Sequence, residues 1–195
     1  MKKIILATSN LGKVRELNSM LEGQYNVVSQ IDMKVEEVPE TGASFIENAL
    51  IKARNASSQS QLPALADDSG LVVDALNGEP GIYSARYAGE NATDEDNIVK
   101  LLSRMDDEDD RGASFWCAMV FVRNAGDREP IIVEKSWEGQ ILRELKGHNG
   151  FGYDPVFYLP ELDCTSAQLS EEEKNRQSHR GQALQEILKR LLSLE

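Results

Sequence analysis

The sequence predicts an α/β protein built on one mixed β-sheet with flanking helices. Three observations carry that expectation. Short apolar runs of strand length alternate with longer stretches whose apolar residues recur at helical spacing. Two of the runs, Ser114 to Arg123 and Ile131 to Trp137, are joined through Asn124-Ala125-Gly126-Asp127, which reads as a hairpin. A hairpin among crossover segments makes the sheet mixed rather than all-parallel. The 195 residues are 41% apolar, enough for a sizeable core, and neither a linker nor an internal repeat divides them, so a single domain over 1–195 is expected.

Taken in order, Lys3 to Ala7 is a buried strand, and from Lys13 the positions Val14, Leu17, Met20 and Leu21 fall on one helical face. Tyr25 to Gln30 is a second strand. Ser44-Phe45-Ile46-Glu47 matches a capping box and opens a helix with an apolar stripe of Phe45, Ala49, Leu50, Ala53 and Ala56. Ser44, Asn48, Lys52 and Asn55 share its polar face. Pro63 to Ala66 and Leu71 to Leu76 are short strands on either side of Asp67-Asp68-Ser69-Gly70, followed by an Asn77-Gly78 turn. Thr93 caps a helix carrying Ile98, Val99, Leu101 and Leu102. The five acids Asp106 to Asp110 form a solvated loop, because adjacent carboxylates repel one another. After the hairpin, Ile141 to Leu145 and Val156 to Leu159 are strand-like, and an amphipathic helix beginning near Ser178 covers Ala183 to Leu192.

Composition excludes several classes of function. A net charge of −12, from 33 acids against 21 bases, disfavours non-specific binding to nucleic acid or to an anionic membrane. No stretch approaches the ~20 apolar residues of a membrane span. Four apolar residues ahead of Thr8 are too few for a signal peptide, and Cys117 and Cys164 are too few for a disulfide framework, so a cytoplasmic protein with reduced thiols is expected. With only His148 and His179 present, any bound metal would be a hard cation held by carboxylates.

Five segments carry candidate chemistry, and each also has a structural reading. Thr8-Ser9-Asn10-Leu11-Gly12-Lys13 lies between a strand and a helix. It lacks the first glycine and the closing Ser/Thr of a Walker loop, so it is either another phosphate grip, using the helix N-terminus and Lys13, or a plain turn. Asp67-Asp68 is either an Asp-rich turn or a pair in which one acid holds Mg²⁺ and the other orients or deprotonates water. Glu40 joins such a site only if the fold brings it near. Gly147 to Pro155 has glycines around Phe151 and Tyr153, and either packs those rings inward or offers one to a planar ligand, with Asp154 as acceptor. Lys174, His179 and Arg180 are either part of a charged helix and its cap or a cluster of donors suited to a carbonyl edge.

Together, Thr8 to Lys13, Glu40 to Ala49, Ala66 to Leu71, Pro80 to Tyr87, Gly147 with Asn149 to Pro155, and Ser178 to Leu184 closely resemble the motifs of the XTP/dITP diphosphatases, also called inosine triphosphate pyrophosphatases. They run in that family's order over nearly the whole chain. The resemblance implies an elongated α/β fold with two lobes around a central active-site cleft, usually a homodimer. It also implies Mg²⁺-dependent hydrolysis of deaminated purine nucleoside triphosphates (ITP, dITP and XTP) to the monophosphate and pyrophosphate, cleansing the nucleotide pool. Carried to matching positions, it puts the phosphates at Thr8, Ser9, Asn10, Leu11, Gly12 and Lys13, assisted by Lys52. Asp68 becomes general base and metal ligand, with Glu40 and Asp67 as further metal acids. Ser69, Phe151, Gly152, Tyr153, Asp154, Lys174, His179 and Arg180 would bind substrate, with Phe151 stacking on the base. Ser9 stands where many members have glycine, and Gln168 replaces a commonly acidic residue. Two other readings are a pyrophosphatase for pyrimidine or methylated nucleotides and a non-catalytic nucleotide sensor.

Overall fold

The computed structural model describes residues 2–193. Its sheet is mixed. In chain order the elements are β1 (Lys3–Leu6), α1 (Leu11–Leu21), β2 (Asn26–Ser29), α2 (Phe45–Ser60), β3 (Ala64–Val73), α3 (Asp94–Arg104), β4 (Gly112–Val122), β5 (Ile131–Ile141), β6 (Phe157–Leu159), β7 (Cys164–Thr165), α4 (Glu171–Gln177) and α5 (His179–Leu192). Seven strands lie in the order β2-β1-β3-β4-β5-β6-β7. β1 pairs in parallel with β2 and β3, whereas β5–β6 and β6–β7 are antiparallel. No helix among the described residues is long and apolar enough to cross a membrane.

The chain divides into two compact units, Met1–Asp68 with Cys117–Lys135 and Arg180–Glu195, and Ser69–Trp116 with Ser136–His179. Within the first unit, strand alternation sorts side chains to two faces. Ile4, Leu6, Leu65, Cys117 and Met119 pack with Leu17 and Leu21 of α1 and Ala183, Leu184 and Ile187 of α5. Ile5, Ala7, Ala64, Ala66, Val120 and Val122 pack with Ala49, Ala53 and Ala56 of α2. The alanine stripe expected for α2 is therefore its buried face. Methyl-sized side chains let the helix backbone approach the sheet closely.

The second unit has one core. Ile98 and Leu101 of α3 meet Leu71 and Val73 of β3, Phe115 of β4 and the rings of Trp137, Tyr153 and Phe157. α3 starts where its capping box predicts: Thr93 Oγ1 accepts from Asp96 N, and Asp96 accepts in return from Thr93 N.

Three segments differ from the sequence reading. The two strands expected around Asp67 to Gly70 are one ten-residue strand, β3, which passes straight through the acids. The strand expected to stop at Trp137 continues to Ile141, and nothing follows as a separate strand over 142–145. The charged segment before Ser178 is a helix of its own, α4, opened by a capping box between Ser170 and Glu173. Polar residues interrupted the apolar pattern in the first two cases, but backbone ladder bonds do not depend on side-chain polarity. The acid run at 106–110 is in no helix or strand and is largely exposed.

Candidate active site

Alternation along β3 decides where the paired acids go. Asp67 falls on the face shared with Leu65, toward α1 and α5, and Asp68 on the face shared with Ala66, toward α2. Asp67 has no exposed side-chain surface, and its Oδ2 meets Lys13 Nζ at 2.9 Å. The same oxygen accepts from Arg180 Nε and Nη2, both at 3.2 Å, while Arg180 Nη1 donates to Glu16 Oε2 at 2.6 Å. Burial alone would push the Asp67 carboxyl up. Lys13 and Arg180, with Lys52 behind them, outweigh that and hold it well below the usual carboxylate range. Burial likewise opposes the charge on Arg180, and Asp67 and Glu16 more than offset it.

Asp68 belongs to a different group. Its Oδ1 takes Lys52 Nζ at 3.0 Å, and that ammonium also meets Glu40 Oε1 at 2.8 Å. Its Oδ2 accepts from Asn48 Nδ2 at 3.3 Å. Asn48 is wholly buried, and its Oδ1 accepts from Gly42 N at 2.8 Å, so one carboxamide ties the segment carrying Glu40 to Asp68. Gly42 is required at that approach: a Cβ there would lie 2.7 Å from Asn48 Oδ1 and 2.6 Å from Glu47 Cβ. The Asp68 carboxyl is raised from its ordinary value, by burial first, against Lys52 and Lys13, with Glu40 adding to the rise. Adjacent acids thus carry opposite shifts, an arrangement common where one carboxylate must stay ionised and another must exchange a proton.

The opening loop is organised by its own side chains. Asn10 caps α1, its Oδ1 accepting from Gly12 N at 2.9 Å and Lys13 N at 3.1 Å, and its own N–H donates to Thr8 Oγ1 at 3.2 Å. Thr8 is buried, Ser9 and Asn10 are exposed, and Leu11 is 61% exposed. Two of the amides that a helix N-terminus would offer to an anion are therefore bound to Asn10.

In the second unit, Asp154 is the hub. It is buried, and its Oδ2 accepts from Phe151 N at 2.8 Å and from Lys174 Nζ at 2.5 Å, while Oδ1 accepts from Ser166 Oγ at 2.8 Å. Lys174 Nζ stands 4.9 Å from the centre of the half-buried Phe151 ring, within cation–π range. Tyr153 is buried, donates to Ser84 O at 2.8 Å, and has its hydroxyl pKa raised by burial and then by Tyr87 and Asp94. Gly152 N donates to Asp94 Oδ2 at 2.6 Å. His179 is 4% exposed, and its ring stacks on Phe115 at 4.9 Å and on Trp137 at 6.4 Å. Ser69 is a half-buried residue of β3.

Sequence-predicted residues thus converge as Lys13, Asp67 and Arg180, as Glu40, Lys52 and Asp68, and as Phe151, Asp154 and Lys174. Arg180 and Lys174, read from sequence as neighbouring donors for one carbonyl, are each engaged by buried carboxylates. Glu16, Ser166 and Asp94 escaped the sequence reading, and Asn48 enters it only as a member of the polar face of α2 that carries Lys52. Glu16 had a signal, a charge beside the apolar Leu17.

No group of three His, Cys, Asp or Glu residues poised to hold a metal ion occurs among the described residues. The donor chemistry nevertheless fits a hard cation. Glu40 and Asp68 already share a positive charge, the Lys52 ammonium, and Asp67 Oδ1 is buried without a hydrogen-bond partner.

The chain is similar over nearly its whole length to proteins of one family. The Ham1 family model matches residues 4–190. The chain is 55% identical over 192 residues to the dITP/XTP pyrophosphatase of Vibrio cholerae, covering 97% of this chain and 96% of that protein. It is 53% identical over 191 residues to the dITP/XTP pyrophosphatase of Escherichia coli K12, covering 96% and 97%. Among solved structures, a HAM1 protein from Coxiella burnetii superposes with a TM-score of 0.91 at 47% identity, covering 99% of this chain and all of that one. The Staphylococcus aureus Ham1 protein gives 0.88 at 42% identity, with both chains covered in full. The chain belongs to the Ham1 family.

Proposed function

We propose that this chain hydrolyses deaminated purine nucleoside triphosphates (dITP, ITP and XTP) to the monophosphate and pyrophosphate in the presence of Mg²⁺. The observation that carries the reading is the Glu40–Lys52–Asp68 group, with Lys52 Nζ at 2.8 and 3.0 Å from the two acids, beside a second acid of opposite pKa shift. Relatives above 50% identity over nearly the full length are named dITP/XTP pyrophosphatases, which supports the same substrate class.

Mg²⁺ is ordinarily held by one or two carboxylates together with substrate phosphates, so Glu40 and Asp68, with the unpartnered Oδ1 of Asp67 as a further acid, would hold it, and it would neutralise the triphosphate and the departing pyrophosphate. Lys13 and Lys52 supply positive charge to the phosphates. Asp68 is the stronger candidate to accept the proton of the attacking water: its side chain keeps 8% exposure, whereas Asp67 is sealed and bound to Lys13 and Arg180. Asp67 then serves to orient Lys13. Phe151 stacks on the base, and the nearby Lys174 ammonium favours a carbonyl at purine position 6. The amine of adenine would set a donor against a donor, and such mismatches reject a substrate by orders of magnitude. A pool-cleansing role, a cytoplasmic location and a homodimeric state belong to the same proposal.

Incubation with dITP and Mg²⁺ tests it, with pyrophosphate and dIMP as the expected products. Release of orthophosphate, or a preference for ATP over dITP, overturns it.

A further inference from the structure

The loop that carries Phe151 is tied to α3 by the carboxylate of Asp94. Phe151 sits between Gly150 (φ +77°) and Gly152 (φ +61°), both in the left-handed region that favours glycine. Backbone so permissive gains precision only from tethers. Three are present on successive residues: Phe151 N to Asp154 Oδ2, Gly152 N to Asp94 Oδ2 at 2.6 Å, and Tyr153 OH to Ser84 O. The first and third engage buried groups, Asp154 and Tyr153, and belong to the packing of the unit. The second spans 58 residues and ends on an exposed aspartate.

That aspartate is not occupied in capping its own helix. Asp94 is the first residue of α3, but the capping box there uses Thr93 and Asp96. α3 is also a firm anchor, since buried Asn97 accepts from Ala88 N at 2.7 Å and donates to Ala85 O at 3.2 Å. Water could satisfy a half-buried Gly152 amide, yet water would not fix where the next ring stands.

We propose that Asp94 is a positioning residue that holds the Phe151 ring in place through the Gly152 amide and thereby sets how tightly the nucleotide base is bound. This rests on the reading of Phe151 as the base-stacking side chain.

The test uses the full chain with dITP and Mg²⁺, comparing Asp94→Ala and Asp94→Asn in the wild-type and Phe151→Ala backgrounds. Loss of a hydrogen bond to a charged acceptor should raise KM for dITP about fivefold in Asp94→Ala, with kcat changing less than KM. Asp94→Asn, whose amide oxygen still accepts from Gly152, should recover most of the loss. In Phe151→Ala, the Asp94→Ala change should no longer alter KM. Hydrogen exchange of the Gly152 amide should accelerate in Asp94→Ala while the thermal midpoint stays near that of the parent. Unchanged KM in Asp94→Ala, or an equal rise in both backgrounds, overturns the proposal while leaving Phe151 stacking intact. Wild-type KM in Phe151→Ala removes the stacking reading and the proposal with it.

Discussion

Asn48 gives the sharpest test of how Asp68 is held. Its orientation is fixed by chemistry: the Gly42 amide requires an acceptor and the Asp68 carboxylate a donor, so Oδ1 faces the one at 2.8 Å and Nδ2 the other at 3.3 Å. Asn48→Ala removes both bonds in a position without solvent exposure. A neutral bond contributes about 1 kcal/mol net and a bond to a charged group about 2 kcal/mol, the latter toward its weak end at this length. We expect a loss of about 2–3 kcal/mol in urea unfolding at pH 7. Asn48→Asp preserves shape and the Gly42 contact but turns the donor into a second carboxylate facing Asp68. At an effective dielectric constant of about 20, two such charges about 4 Å apart repel by about 4 kcal/mol, enough to drive a proton onto one of them or to displace Asp68. Asn48→Asp should therefore lose more dITP turnover than Asn48→Ala although it changes fewer atoms, and the deficit should narrow as pH falls and one acid protonates. The assay is kcat/KM for both variants between pH 6 and pH 9, beside their unfolding free energies. An Asn48→Asp enzyme more active than Asn48→Ala across that range would refute the argument that Asn48 serves Asp68 as a donor.

Lys52→Met keeps the side-chain stem but leaves Glu40 and Asp68 facing each other without their shared cation, so kcat/KM for dITP should fall about a hundredfold, as for other lost charge-stabilising donors; a loss under threefold would remove Lys52 from the site. The folded-state pKa of Asp67 is depressed, so its stabilisation is present above the ordinary carboxylate pKa of about 4 and is lost as pH falls through the folded value. Asp67→Asn should accordingly be less stable than the parent at pH 7, with the gap shrinking below about pH 4; a gap independent of pH in urea titrations would contradict this sign. Burial, with Asp67 adding, pushes the Cys117 thiol up to about 12, while Cys164 is only half-buried, so a disulfide reagent at pH 8 should modify Cys164 alone in the native protein and both thiols in urea. In Gly150→Ala the new Cβ would lie 2.0 Å from Asp154 Oδ2, so Lys174 should lose its partner and KM for dITP should rise well beyond the effect of Asp94→Ala.

Much of this architecture was legible in the sequence because local chemistry and tertiary packing agree. The alanine stripe of α2 is its buried face, and the Thr93 capping box opens α3 where it was read. The motif clusters also gathered most of the residues that meet in space, since Glu40, Lys52 and Asp68 lie close together in sequence. What sequence could not supply was partnership at a distance. Arg180 is 113 residues from Asp67 and 164 from Glu16, and no spacing rule links a helix near one end of the chain to a glutamate near the other. Its charge therefore looked free for a ligand when the fold had already engaged it. Asn10 shows the converse: the capping side chain and the phosphate grip have the same local signature, and only in the folded chain is its oxygen seen to accept from Gly12 and Lys13.

The acids of β3 show why the remaining error was instructive. Charge within an apolar run reads as the end of a strand, and two adjacent acids then read as one cluster. On a continuous strand, adjacency means opposite faces. Asp67 therefore meets the cations of α1 and α5, and Asp68 meets Asn48 and Lys52 of α2, although the two are neighbours in the chain. Their opposite pKa shifts follow from those surroundings, burial prevailing over Lys52 at Asp68 and the cations Lys13 and Arg180 prevailing over burial at Asp67, and not from any difference between the side chains. A one-residue change of register between Leu65 and Asp68 would exchange the two environments. The inequality of this pair thus resides in the alternation of β3, so that under the proposed function the strand's continuity through Asp67 and Asp68 is as necessary as the acids are.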